Sequence, residues 1–311
     1  MQEVEQKDYY NRILITGVAG FIGYHLARKI KGEIIGIDNL NDYYSVSIKK
    51  NRIKELQMLK NFNFFKVDIS DKETLNAIFS VYRPELVIHL AGQAGVRYSN
   101  ENPTAYIKTN LEGFFNVIEC CKKYNVSHLV YASSSSVYGN AERPCKETDT
   151  LSPQSLYAVT KSFNEQLANT YDMNTTGLRF FTVYGKDGRP DMFISKAIRA
   201  SQNNEVLYIN GDGEQRRDFT YVEDIVDGII KATKPSEEKH IKYNLGAEHP
   251  HSLNEVVEIL EKLTGKKINV IYKNKNKLDA DTTWSDCAKA KKELNWSPKV
   301  DLKSGLKICI S

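Results

Sequence analysis

The first half of the chain alternates short apolar runs with stretches of helical periodicity. Between the runs, apolar residues recur every three or four positions, most extensively over 102–124 and 153–171. Strands that alternate with helices form βαβ units, so the pattern predicts an α/β fold with a doubly wound parallel sheet. Six of the runs have the length and composition of buried parallel strands: 12–16, 33–38, 63–67, 86–90, 128–133 and 177–181.

After residue 184 the pattern loosens into loops rich in Gly, Asp and Arg, such as GKDGRPDM and NGDGEQRRD. Further elements are predicted at 222–233 (helix), 242–245 (strand) and 252–264 (helix). We interpret this half as a smaller C-terminal lobe that binds the substrate and is woven back into the first domain. The predicted division assigns residues 1–182 and 218–246 to the large domain, and 183–217 and 247–311 to the lobe.

Composition narrows the class of protein. The 41% apolar and 26% charged residues are ordinary for a soluble enzyme, and no apolar run approaches the roughly 20 residues of a membrane span. The N-terminus lacks the apolar core of a signal peptide, and the five cysteines show no paired spacing. We therefore expect the protein to be located in a reducing cytoplasm. The net charge of +4 is spread along the chain, which argues against a nucleic-acid partner. No Cys/His cluster has the spacing of metal ligands, so no metal is expected.

The first predicted strand runs into TGVAGFIG, which places Gly17, Gly20 and Gly23 in the spacing G-x-x-G-x-x-G. Such glycines let backbone N–H groups approach a pyrophosphate, and the following helix points its positive end at the anion. Asp38 ends the second strand, where an acidic side chain binds the adenosine ribose and repels a 2′-phosphate. The pattern predicts a Rossmann site for NAD rather than NADP. Asp68, after the third strand, lies at the same sheet edge and is placed to meet the adenine.

Tyr157 and Lys161 form Y-x-x-x-K within a predicted helix, so their side chains share one face. The serines at 133–136 end the fifth strand, at the sheet edge where doubly wound folds bind ligands. A hydroxyl, a phenol and an ammonium at one edge can transfer a proton. The Lys161 ammonium is expected to stabilise the phenolate and to lower the pKa of Tyr157 towards the working pH.

Several runs then become recognisable together. TGVAGFIG, HLAGQAGVRYS, YASSSSVYG, SLYAVTK, LRFFTVYG, GRPDM and RRDFTYVEDI occur in this order over nearly the whole chain. In this combination the chain resembles the extended short-chain dehydrogenase/reductase family that acts on nucleotide sugars. Within that family it looks most like the UDP-glucuronate 4-epimerases.

The resemblance implies roles for matching residues. Tyr157 is the base, Lys161 holds the nicotinamide ribose and tunes the phenol, and Ser134 binds the 4-hydroxyl. The implied NAD-binding residues are these two and Gly17, Gly20, Phe21, Ile22, Gly23, Asp38, Asn39, Asp68, Ile69, Leu90, Ala91, Gly92 and Asn110. The implied substrate-binding residues are Arg97, Ser134, Ser135, Ser136, Thr182, Arg189 and Arg217.

The implied activity is NAD-dependent 4-epimerisation through a transient 4-keto sugar. Ser135 and Ser136 stand where related dehydratases carry Asp-Glu, which argues against dehydration. A 4-dehydrogenase that releases the keto product remains an alternative, and intact Ser134, Tyr157 and Lys161 argue against a non-catalytic NAD-binding protein. The nucleotide and the sugar of the substrate both stay open, because the substrate lobe departs from the glucuronate pattern. The nucleotide is UDP or GDP, and the sugar is glucuronate or another hexose or heptose. By resemblance we also expect a homodimer that pairs the helices near 102–124 and 153–171.

Overall fold

A central parallel sheet organises the chain, in a computed structural model that describes residues 9–275 and 279–311. Leu278, one of the residues at which the chain departs from the pattern of the family that it resembles, lies outside the described residues. The strands are β1 (Arg12–Thr16), β2 (Glu33–Asp38), β3 (Phe62–Lys66), β4 (Leu86–His89), β5 (His128–Ser134), β6 (Thr175–Phe180), β7 (Thr182–Tyr184), β8 (Leu207–Asn210), β9 (Arg216–Tyr221), β10 (Ile241–Leu245), β11 (Pro250–Ser252) and β12 (Val270–Lys273).

Seven of these strands form the main sheet, in the order β10-β6-β5-β4-β1-β2-β3, and all its pairings are parallel. The predicted doubly wound α/β class is therefore confirmed. The order reverses between β1 and β4, and such a switch point opens a crevice at the carboxyl ends of the strands. The central strands are almost entirely buried because helices cover both faces, whereas β3 is an edge strand and is only partly buried.

Helices pack on both faces of this sheet. Their amphipathic faces bury residues such as Phe79 and Phe114 on one side and Leu26 and Ile225 on the other. The helices are α1 (Phe21–Ala27), α2 (Val46–Leu56), α3 (Lys72–Tyr82), α4 (Tyr98–Glu101), α5 (Pro103–Tyr106), α6 (Phe114–Lys123), α7 (Leu156–Ala168), α8 (Phe193–Asn203), α9 (Val222–Ala232), α10 (Leu253–Thr264), α11 (Ala288–Leu294) and α12 (Leu302–Ile310).

The helix predicted over 102–124 is not a regular α-helix. Between α5 and α6, residues Ile107–Gly113 form a π-helical segment. Within it, Asn110 donates to the Gln93 carbonyl and to Thr160, each at 3.0 Å, and accepts from the Gln93 N–H at 2.7 Å. These tertiary hydrogen bonds stabilise a wider turn that apolar periodicity alone does not reveal.

The second half adds two small sheets, β11-β9-β7 and the parallel pair β12-β8. β10, which lies late in the chain, returns to the main sheet beside β6. The division of the chain into a large domain (1–182 and 218–246) and a smaller lobe (183–217 and 247–311) stays a prediction. In the described ranges, no helix is long and apolar enough to cross a membrane.

Candidate active site

The glycine-rich turn joins β1 to α1 and lies against the segment that follows β4. Gly17 has a φ of +71°, and a Cβ placed on it would lie 2.7 Å from the Ala91 nitrogen. Gly20 donates its N–H to the Gly17 carbonyl at 2.9 Å and precedes the first turn of α1. A side chain at Gly17 would both strain the backbone and collide with Ala91. The turn therefore forms a backbone surface that a pyrophosphate can approach closely.

Asp38 at the end of β2 is oriented by backbone hydrogen bonds. Its carboxylate accepts from the Ala19 N–H at 3.1 Å and from the Leu40 N–H at 2.8 Å. Burial raises the pKa of Asp38, while the Leu40 hydrogen bond and the nearby Lys49 ammonium act to lower it. Lys49 is itself held by Asn41, through the carbonyl at 2.8 Å and the side chain at 2.7 Å. The carboxylate is thus presented rigidly beside the glycine turn.

A cavity of about 610 Å³ runs along this edge of the sheet. It contains most of the site residues expected from the sequence. Those that line it are Gly17, Gly20, Phe21, Ile22, Gly23, Asp38, Asn39, Ile69, Leu90, Ala91, Gly92, Ser134, Ser135, Ser136, Tyr157, Lys161, Thr182, Arg189 and Arg217.

Asp68 and Asn110 are absent from the wall of this cavity. Asp68 accepts from Asn39 at 3.0 Å and from the hydroxyl of Ser70 at 2.7 Å, so it positions Asn39. Asn110 bridges the backbone of Gln93 to Thr160 of α7, close to Tyr157 in the sequence. Each of the two residues thus bonds to a residue of the cavity wall, Asp68 to Asn39 and Asn110 to Gln93.

Arg97 also lies outside the cavity wall, on the segment before α4. Its guanidinium binds Asp279 through two hydrogen bonds, at 3.1 and 2.5 Å, and Asp279 does line the cavity. Burial lowers the pKa of Arg217; Asp279 opposes this shift and Arg97 adds to it. The three charges thus form one group beside the cavity, which the sequence did not predict because Asp279 comes from a distant segment.

Tyr157 and Lys161 occupy the first two turns of α7. The helix begins where Ser155 accepts the Ala158 N–H at 3.2 Å, which is an N-cap interaction. The Lys161 ammonium donates to the Ala132 carbonyl of β5 at 2.8 Å. Burial lowers the pKa of Lys161 to about 8. The helix and the strand that carries Ser134 are thereby brought to the same stretch of cavity wall.

The pKa of Tyr157 differs from the expectation. Burial raises the pKa of this phenol, and the opposing effects come from the Ser134 hydroxyl and the Arg189 guanidinium rather than from Lys161. The expected lowering by Lys161 was therefore wrong for the protein by itself, because desolvation disfavours the phenolate more than its neighbours stabilise it.

Arg189 lines the cavity but already has a carboxylate partner. Asp191 of the same loop accepts from its Nε at 3.0 Å and from its Nη2 at 2.8 Å, and Tyr43 donates to Asp191 at 3.2 Å. Tyr43 belongs to the loop that follows Asp38 at the end of β2. Much of the Arg189 fork is thus occupied, and a ligand carboxylate would meet its remaining N–H groups.

Other cavity residues were not expected from the sequence. Among them are lysine, arginine, amide and hydroxyl side chains that, apart from Gln93 in the run HLAGQAGVRYS, lie outside the recognisable runs, so little local signal marks them. Examples are Lys49, Gln93, Asn140, Arg143, Gln154 and Thr283.

These residues fit a dinucleotide such as NAD. The glycine turn leaves room only for close backbone approach, and Asp38 presents carboxylate oxygens next to it. In the described part of the chain, no group of three or more His, Cys, Asp or Glu side chains could hold a metal ion. A doubly wound sheet that carries this glycine turn, Asp38 and a Ser/Tyr/Lys set at its carboxyl edge defines a dinucleotide-dependent enzyme of the short-chain dehydrogenase/reductase type.

Comparison with known proteins agrees with this class. The family model described as "NAD dependent epimerase/dehydratase family" matches residues 13–246, and the chain belongs to that family. A UDP-glucuronate 4-epimerase of Thermodesulfobacterium geofontis is 43% identical, over 94% of this chain and 93% of its own. UDP-glucuronic acid 4-epimerase from Bacillus cereus, solved with UDP-glucuronic acid and NAD, is 31% identical with a TM-score of 0.90, covering 96% of this chain and 97% of its own. UDP-glucose 4-epimerase from Thermotoga maritima, solved with UDP-glucose, is 32% identical with a TM-score of 0.88 and the same coverage.

Proposed function

We propose that this protein is an NAD-dependent 4-epimerase of nucleotide sugars and that its substrate is UDP-glucuronate. One observation carries the proposal: Ser134, Tyr157 and Lys161 share a single cavity with the glycine turn and with Arg189. That arrangement can hold a secondary alcohol between a proton acceptor and a dinucleotide. The names of the relatives described above support this reaction class.

In the proposed mechanism, Tyr157 accepts the proton of the sugar C4 hydroxyl and Ser134 donates a hydrogen bond to the same oxygen. Lys161 binds the nicotinamide ribose, and the Ser134 hydroxyl and the Arg189 guanidinium oppose the effect of burial on the pKa of the phenol. A bound NAD would supply the hydride acceptor for the alcohol carbon and the hydride donor for the return step. The sugar is inverted when its 4-keto form presents the other face, after which Tyr157 gives the proton back. The overall reaction is redox-neutral.

The uronic acid is assigned through the polar wall near Tyr157. Ser135, Ser136, Thr182 and Arg189 all line the cavity there and can donate to a carboxylate. A 4-keto glucuronate is a β-keto acid that loses CO₂ readily, so several donors on its carboxylate would retain it. UDP rather than GDP is proposed because the solved relatives named above were determined with UDP-sugars.

The test is incubation of the purified protein with UDP-glucuronate, followed by NMR of the sugar C4 configuration and by absorbance of reduced cofactor. We expect UDP-galacturonate without net NADH. The Tyr157→Phe variant should lose at least about 10²-fold in kcat, the lower end of a general-base contribution, while it retains bound NAD. A stoichiometric keto product would identify a 4-dehydrogenase instead. Failure to invert C4 in any UDP- or GDP-sugar would exclude epimerase activity.

We also propose a homodimer that pairs α6 and α7 with the same helices of a second copy. Four large apolar side chains on or just before these helices remain 40–47% exposed: Ile107, Phe115, Val159 and Phe163. Val159 and Phe163 share one helix face. The Val159→Glu/Phe163→Glu variant should elute from gel filtration at the monomer mass, whereas an unchanged dimer would place the interface elsewhere.

We assign the protein to the cytoplasm as a further proposal. All five cysteines are free thiols, and Cys120, Cys121, Cys145 and Cys287 are buried. Free thiols in this number favour a reducing compartment. Fractionation of the native cells should recover the protein with the cytoplasmic enzymes, and recovery with an extracytoplasmic fraction would contradict the assignment.

A further inference from the structure

A buried carboxylate lies on α7 that the proposed mechanism does not use. Glu165 follows Tyr157 and Lys161 at successive four-residue intervals, so the three side chains share one helix face. Glu165 is 3% exposed, and Arg179 of β6 is 2% exposed. The two form a bidentate ion pair, with the Arg179 Nε at 2.9 Å and its Nη2 at 2.7 Å from the carboxylate oxygens.

Glu165 also holds the strand that carries Ser134. The Ser133 hydroxyl donates to the Glu165 Oε1 at 2.5 Å, and Ser133 is 2% exposed. Ser133 and Ser134 are the two buried members of the four consecutive serines after Ala132, and Ser133 both lines the cavity and bonds to Glu165. A single carboxylate therefore connects the end of β5, next to Ser134, with the helix that presents Tyr157.

The network continues from Arg179 towards the C-terminal segments. The Arg179 Nη1 donates to the Tyr138 hydroxyl at 2.8 Å, and that hydroxyl donates to the Asn244 Oδ1 at 2.6 Å. The Asn244 Nδ2 in turn donates to the carbonyls of Cys145 and Asp286, at 2.9 and 3.0 Å. Asn244 lies in β10, and Asp286 belongs to the segment 247–311 that we predict to form the substrate lobe. The series of hydrogen bonds thus extends from α7, which carries Tyr157 and Lys161, to that lobe.

Stability is a poor explanation for such a network. Two charges taken out of water lose their hydration, and apolar residues of similar volume often stabilise a protein as well or better. A fully satisfied buried network does provide fixed geometry, because each member has only one arrangement in which all partners are bonded. Here the members fixed in this way lie directly next to Ser134 and one turn beyond Lys161.

We propose that Glu165 is a positioning residue: through Ser133 and Arg179 it sets the separation between Ser134 and Tyr157. The Tyr138–Asn244 branch positions the C-terminal segments against the same helix. The inference rests on the proposed epimerase function, since it assigns Ser134 and Tyr157 to one reacting hydroxyl. A misplacement of reacting groups by about 1 Å can cost 10²-fold in rate, so small losses of order in this network should be visible in kcat.

The test compares two variants that each delete one buried hydroxyl. Ser133→Ala removes the tie between β5 and Glu165. Ser162→Ala is the matched control, because Ser162 lies on the same helix, is 5% exposed and accepts only a 3.3 Å hydrogen bond from Gln166 in the described structure. Both are measured as full-length protein with bound NAD, by kcat and KM for UDP-glucuronate and by urea unfolding.

We expect Ser133→Ala to lower kcat by about 10- to 100-fold with KM within about twofold of wild type. Ser162→Ala should keep the wild-type kcat and KM. A third variant, Tyr138→Phe, cuts the branch to Asn244 and should raise KM several-fold with a smaller change in kcat. Such opposite kinetic signatures are not expected from a general loss of stability.

Two outcomes overturn the inference. In the first, Ser133→Ala and Ser162→Ala have the same kcat although the wild type is active. In the second, Ser133→Ala lowers the free energy of unfolding and leaves kcat unchanged. If the wild type itself inverts no UDP-sugar, the proposed function fails first and this inference fails with it. The wild-type assay therefore separates the two failures.

Discussion

Replacing Lys161 by Met should make the protein more stable while it abolishes turnover. Lys161 is 4% exposed, and its burial lowers the pKa of the ammonium from 10.5 to about 8. The folded protein therefore bears the cost of holding a charge away from water. Methionine is similar in length and flexible enough to fill the same space without a charge.

The magnitude follows from the pKa. Each pH unit by which a pKa moves corresponds to about 1.4 kcal/mol, so a fall from 10.5 to about 8 destabilises the folded state by about 3 kcal/mol at pH 7. The variant also loses the 2.8 Å hydrogen bond to the Ala132 carbonyl, which costs about 1 kcal/mol. We therefore expect a net gain of about 2 kcal/mol in the free energy of unfolding.

The pH dependence gives a second, independent signature. The folded protein releases the Lys161 proton near pH 8, whereas the unfolded chain keeps it until about 10.5. Between these values the unfolded chain binds more protons, so this group makes wild-type stability rise with pH; its destabilising effect is fully present below pH 8. The Lys161→Met variant should lack this rise.

The assay is urea unfolding of wild type and Lys161→Met at pH 7 and pH 10, with both proteins freed of dinucleotide because a bound ligand adds its own stabilisation. Lys303→Met, at an exposed position of α12, serves as the control and should follow the wild type at both pH values. A variant less stable than wild type at pH 7, or one with an unchanged pH slope, would refute the reasoning.

Three further predictions concern the cofactor and the sugar. Gly17→Ala should weaken NAD binding at least tenfold in a fluorescence titration and lower stability by at least about 1 kcal/mol, because its Cβ would lie 2.7 Å from the Ala91 nitrogen at a φ of +71°. Asp38→Ser should weaken NAD and improve NADP binding, read as the ratio of the two Kd values, since the 2′-phosphate is no longer repelled. Arg189→Lys should raise KM for UDP-glucuronate about tenfold but leave that for UDP-glucose nearly unchanged.

The main sheet could be predicted because most of its parallel strands are buried on both faces and therefore contain short apolar runs. The small strands of the second half could not. β7, β9 and β11 contain polar residues such as Arg216, Asp218 and His251, and they are stabilised by pairing with one another across the chain. The π-helical turn before α6 was missed for the same reason, since Asn110 adopts it through Gln93 and Thr160.

The glycine turn and the pair Tyr157 and Lys161 could be recognised in the sequence because their geometry is local. A turn depends on adjacent residues, and a helix brings positions four apart together. What each charged group binds was decided by the tertiary structure. Arg97 meets Asp279, which lies 182 residues further along the chain, and Glu165 of α7 meets Arg179 of the neighbouring strand β6. The raised pKa of Tyr157 depends on the protein packed around it. Burial and charge pairing depend on every neighbour in space, and only the folded chain determines which neighbours those are.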